Sequence, residues 1–70
     1  MNLPEFLVEN RIVESRKEGR RNLVGKGLYI NNTQVGEECI ESLMGEIYEK
    51  YARFSRYLVI RKGKKKYYFL

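Results

Sequence analysis

Apolar positions change their spacing along this chain, and each change marks an expected element. Phe6, Leu7 and Val8 follow Pro4, which suits the first turn of a helix because its missing N–H would be unpaired there anyway. A turn is expected near Asn10 and Arg11, with Ile12 and Val13 entering the core beside it. Ser15-Arg16-Lys17-Glu18 is a capping-box pattern: the Ser15 hydroxyl can accept the third amide, and Glu18 can reach back to the Ser15 amide. A second helix is predicted from about Arg16 to Val24, stopped by Gly25 and Gly27.

Leu28-Tyr29-Ile30 and Thr33-Gln34-Val35 then flank Asn31-Asn32, a pair that tolerates the positive φ of a tight hairpin. From Glu37 to Tyr51 the apolar positions are Ile40, Leu43, Met44, Ile47, Tyr48 and Tyr51. That i, i+3, i+4, i+7 spacing predicts one amphipathic helix over 37–51 with glutamates on its far side, and it assigns Tyr48 and Tyr51 to the core. Tyr57-Leu58-Val59-Ile60 and Tyr67-Tyr68-Phe69-Leu70 read as a second hairpin joined by a Lys/Gly turn. The order α-α-β-β-α-β-β is α+β: two N-terminal helices, a small antiparallel sheet of two hairpins and a third amphipathic helix. At 70 residues, 1–70 is expected to be one domain with one small core.

Composition narrows what such a domain can do. The chain has no His, Asp or Trp and a single cysteine, Cys39. A histidine general base, a His metal ligand, an internal disulfide and a CxxC metal site are therefore excluded. No acid, base and nucleophile can be assembled, so the chain is not expected to be an enzyme by itself, and Cys39 reads as a small buried hydrophobe. The apolar runs, such as Leu58-Val59-Ile60, are far shorter than the ~20 residues of a membrane span. The N-terminus lacks a signal-peptide pattern, and a reducing intracellular compartment is expected.

Charge is what singles the chain out. Residues 1–35 carry six basic and four acidic groups (+2), residues 36–54 two basic and five acidic (−3), and residues 55–70 six basic and no acid (+6). On the second helix, Arg16 with Arg20 and Lys17 with Arg21 are i, i+4 neighbours near the positive end of the macrodipole, a locally unfavourable crowding. Either a polyanionic partner offsets that cost, or this is a solvated face partly neutralised by Glu14 and Glu18. Gly19, inside the same helix, serves either close packing or approach of a phosphate backbone. Arg61-Lys62-Gly63-Lys64-Lys65-Lys66 places five cations around one glycine, more than edge-strand protection needs and suited to holding phosphates.

The run SRKEGRRNLVGKGLYINNTQV resembles the RNA-binding motif of S4-type domains, with a capped basic helix, a glycine stop, a short strand and a turn. The ending RYLVIRKGKKKYYFL is more specific and resembles the C-terminus of bacterial-type tyrosyl-tRNA synthetases. Together they point to the S4-like C-terminal domain of that family, over residues 12–35 and 56–70. The resemblance implies a non-catalytic piece of a larger dimeric synthetase, gripping the anticodon arm and long variable arm of tRNA-Tyr. ATP and magnesium would belong to its catalytic domain, with no cofactor or metal here and no membrane partner. It implies RNA contacts at Lys17 and Arg20 on the helix and at Arg61, Lys62, Lys64 and Lys65 at the turn. Arg16, Arg21 and Lys26 join them by position, and Lys66 by its place in the lysine run. The implied setting is a bacterial cytoplasm or a mitochondrial matrix. The 37–51 helix is longer than that family's linker, Gly19 stands where alanine is usual, and Asn32 where a turn glycine is common. Two other readings stay open: a stand-alone S4-type protein on ribosomal RNA, and a protein-interaction module using helix 37–51.

Overall fold

A computed structural model describes residues 1–53 and 57–70. Helix α1 spans Leu3–Glu9, and its start is a complete capping box. The Asn2 side chain accepts the Glu5 amide at 3.0 Å, and the Glu5 carboxylate accepts the Asn2 amide at 3.0 Å. Pro4 sits in the first turn, as expected. Leu3 and Leu7 are fully buried, and Ile12 and Val13 follow them into the core.

Helix α2 spans Arg16–Val24, the predicted range. Ser15 Oγ accepts the Glu18 amide at 3.1 Å, but the reciprocal half of the box falls one residue earlier, where Glu18 accepts the Glu14 amide at 3.2 Å. The stop also differs in detail from the two-glycine expectation. Gly25 has φ −78°, and it is Lys26 that turns left-handed at φ 56°. Its amide bonds Leu23, and the Gly27 amide bonds the Asn22 carbonyl at 2.9 Å, so the terminal carbonyls are satisfied. At Gly19 a Cβ would lie 3.5 Å from Leu7 Cδ1 and from Pro4 Cα, an ordinary contact. Gly19 therefore lies against α1, but an alanine would fit there, so packing does not require the glycine.

Strands β1 (Leu28–Ile30), β2 (Thr33–Val35), β3 (Val59–Lys62) and β4 (Lys66–Phe69) form one antiparallel sheet in the order β2-β1-β3-β4. The first hairpin closes as predicted, with Asn31 and Asn32 both at positive φ (48° and 69°). The second is displaced from expectation: β3 runs on through Arg61 and Lys62, β4 begins at Lys66, and only residues 63–65 turn. Extra ladder partners on β1 are the reason, since Tyr29 pairs Arg61 and Leu28 pairs Lys62.

The single 37–51 helix does not form. Glu37–Cys39 is one 3₁₀ turn, and helix α3 covers only Met44–Tyr51. Between them the chain pairs with the N-terminus: Leu43 bridges Asn2, the Leu3 amide bonds Ser42, and the Met44 amide bonds Met1. Those bonds hold Leu43 extended (φ −75°, ψ 148°), which a continuous helix could not accommodate. As a result Leu43 is exposed, and Tyr48 is 43% exposed rather than in the core, touching Phe6 edge-on at 6.4 Å. Tyr51 and Ile40 pack against the core only partly.

The core joins α1, α2, α3 and the sheet through Leu23, Leu28, Ile30, Val35, Met44, Ile47, Leu58 and Ile60, with Cys39 buried as expected. Strand alternation sends Leu28, Ile30 and Ile60 inward and leaves Tyr29, Arg61 and Tyr67 in one row on the opposite face. Among the described residues no helix is long and apolar enough to cross a membrane.

Candidate nucleic-acid interface

Helix α2 separates its charge from its packing by helical geometry. Gly19 and Leu23 are buried, one turn apart on the side facing α1. At 100° per residue, Arg16, Lys17, Arg20 and Arg21 span an arc of about 140° that begins beside Leu23 and ends nearly opposite it, and all four are exposed. Glu18, which could have neutralised them, has its carboxylate on the Glu14 amide at the helix start.

The second hairpin is fastened to both ends of this helix. The Gly63 amide donates to the Gly27 carbonyl at 2.9 Å, just beyond the end of α2. Lys62 Nζ donates to the Ile12 carbonyl at 2.8 Å, just before its start. The lysine hairpin is thereby tied to the segments that lead into and out of the basic helix. Lys26 lies exposed at the junction, and its charge also reaches Glu38. The Glu38 carboxyl is held below its ordinary range, mainly by hydrogen bonds from its own backbone amide and that of Gly36, with Lys26 and Lys50 contributing.

The six-residue cluster at the tip is not uniform. Gly63 takes φ +73°, and Lys64 and Lys65 at the same turn are exposed. Lys66 opens β4 and is exposed. Arg61 and Lys62 are not tip residues, contrary to the sequence expectation. They are half-buried in β3, because alternation from Ile60 turns Arg61 to the outer face and Lys62 toward the helices. Lys62 gives one of its three donors to Ile12 and so acts as a tether. Arg61 Cζ lies over the Tyr29 ring, 3.9 Å from its centroid, with Nε buried and lacking a hydrogen-bond partner.

Sequence reasoning singled out none of four participants. Asn31 is a hub: its Nδ2 donates to the carbonyls of Tyr51 (2.8 Å) and Tyr57 (3.3 Å), and its Oδ1 accepts the Val59 amide at 2.7 Å. Tyr29, the outward residue between inward Leu28 and Ile30, carries Arg61; that alternation was the available signal. Tyr67 and Phe69, at i and i+2 on β4, share the outer face.

Beside α3, the Tyr51 phenol meets the buried Cys39 Sγ at 3.7 Å. Its removal from water, together with Cys39 and the nearby charge of Glu38, pushes its pKa up to about 12.

What the geometry offers is a set of exposed cations on a fixed frame, a surface suited to positioning phosphates. Comparison with known proteins supplies the family. The chain is 37% identical to a tyrosine–tRNA ligase of Opitutus terrae over 65 residues, which cover 93% of this chain and 14% of that protein. It is 37% identical over 66 residues to the tyrosine–tRNA ligase of Caldanaerobacter subterraneus subsp. tengcongensis (91% of this chain, 14% of that protein). Identity is 29% over 66 residues to that of Lactobacillus delbrueckii subsp. bulgaricus (94% and 14%). The chain thus spans about a seventh of the length of these relatives. Since residues 1–70 also match, from end to end, the tyrosine–tRNA ligase SYY-like C-terminal domain, the chain belongs to that family.

Proposed function

We propose that residues 1–70 act as one non-catalytic tRNA-binding domain within a longer tyrosine–tRNA ligase. In this reading it grips the anticodon arm and long variable arm of tRNA-Tyr, while ATP-dependent ligation takes place on a separate catalytic domain. The parent enzyme would be a homodimer working in a bacterial cytoplasm. Arg16, Lys17, Arg20, Arg21 and Lys26 on one side, and Lys64, Lys65 and Lys66 on the other, neutralise phosphates. Lys62 fixes the distance between the two groups. The observation that carries the proposal is the pair of hydrogen bonds joining the lysine hairpin to both ends of α2, from Gly63 to Gly27 and from Lys62 to Ile12.

Neutralising about four to six phosphates gives a log–log salt slope of roughly −3 to −5. Changing Lys64 and Lys65 together to Ala should weaken binding and flatten that slope by about two. The test titrates the chain with tRNA-Tyr and with a tRNA lacking a long variable arm, at several salt concentrations. Preference for tRNA-Tyr supports recognition within this domain, and equal salt-sensitive binding reduces it to a general phosphate grip. An unchanged slope in the double variant removes the hairpin from the interface.

A further inference from the structure

We propose that the outer face of the sheet is a stacking platform for unpaired RNA bases, distinct from the phosphate-binding cations. This deepens the RNA-binding reading above and rests on it. The inner face of the sheet packs on the helices through Leu28, Ile30 and Ile60. On the outer face Tyr67 is 50% exposed and Phe69 72% exposed, on an edge strand. Their rings lie 6.5 Å apart and within 21° of parallel, so they present aligned π-faces rather than a packed pair turned edge to face.

Next to them, Tyr67 pairs with Arg61, whose guanidinium lies over the Tyr29 ring. A guanidinium plane and exposed aromatic rings are the two surfaces on which unstacked bases settle. The Arg61 Nε is buried without a hydrogen-bond partner, so the contact of this guanidinium with Tyr29 is through the ring rather than through that N–H. Charge orients the occupant: β4 continues at one end into the exposed Lys64, Lys65 and Lys66, which complement a phosphate backbone, whereas Tyr67 and Phe69 share a cavity with Glu46, Glu49, Lys50 and Arg53, where a base rather than a phosphate fits. An apolar partner would gain nothing from that border. The platform therefore takes an unpaired nucleotide whose backbone passes over the lysine turn, where a base-paired stem would expose only its edges.

The experiment compares an eight-nucleotide oligoadenylate carrying one 2-aminopurine with a blunt-ended RNA duplex, both titrated with the chain. Stacking quenches 2-aminopurine, so fluorescence reports it directly. Changing Tyr67 and Phe69 together to Ala should lower affinity for the single strand about tenfold. It should abolish the quench and leave duplex binding and the salt slope unchanged. Phe69→Tyr keeps a ring and should retain both affinity and quench. Both side chains are exposed, so circular dichroism of the double variant should match the parent chain.

Equal losses on duplex and single strand would overturn the platform, as would no loss on the single strand. Either result with a slope still set by Lys64 and Lys65 leaves the phosphate reading standing. A change of oligomeric state in sedimentation, with RNA affinity unmoved, would overturn the proposal in favour of self-association. Absence of salt-sensitive binding to either RNA would overturn this proposal and the proposed function together.

Discussion

The two hairpin turns sit in one sheet but spend their residues in opposite directions. At the first turn, Asn31 directs its whole amide inward, tying the end of α3 and the segment entering β3 to β1. At the second, Gly63 bonds inward through its backbone, while Lys64 and Lys65 keep their side chains in water. Position in the sheet explains the difference. β1 lies between β2 and β3 with α3 ending beside its turn, so polar groups there must find partners. The β3–β4 turn projects beyond the helices, where charge has no desolvation cost. A turn's chemistry is thus set by what it abuts.

The comparison is most easily broken at Asn31. Asn31→Gly keeps the left-handed conformation and removes three side-chain hydrogen bonds, so it should cost about 2–3 kcal/mol in a denaturant melt. A loss under about 0.5 kcal/mol would mean the first turn is no more structural than the second. Within the lysine hairpin, Lys62→Ala should cost about 1–2 kcal/mol through the lost bond to Ile12. The paired change of Lys64 and Lys65 should stay within about 0.5 kcal/mol. Equal costs would erase the distinction between tether and tip. Asn32→Gly is expected to move stability by less than about 0.5 kcal/mol, since Asn32 holds φ 69° with its side chain exposed.

The smallest effect is alkaline. The Tyr51 phenol, pushed up to about 12 in the fold against an ordinary value of 10, keeps its proton longer folded than unfolded. Its contribution is full below pH 10 and is lost as pH rises from 10 toward 12. Stability measured across that window should fall less steeply in Tyr51→Phe than in the parent chain.

Much of this was legible along the chain. The Ser15–Glu18 capping pattern and the glycines at 25 and 27 placed α2 at Arg16–Val24. Asn31-Asn32 announced its hairpin, and the charge segments marked the candidate cations. The errors share a cause. The period over 37–51 was a real helical pattern, yet pairing of Leu43 with Asn2, 41 positions away, broke it. Arg61 and Lys62 read as turn residues because nothing local reveals that β1 extends the ladder past Ile60.

Local chemistry therefore settled what depends on neighbours within a few residues: helix caps, turn conformation, the composition of each element and the sign of each segment's charge. Tertiary structure decided what depends on groups brought together across the chain. It selected which lysine is a tether and which is free, and it laid Arg61 on Tyr29. It also placed Tyr67 and Phe69 on an open face. Spacing within an element is fixed by backbone geometry, whereas a partner 30 or 50 positions away is chosen only when the sheet register closes.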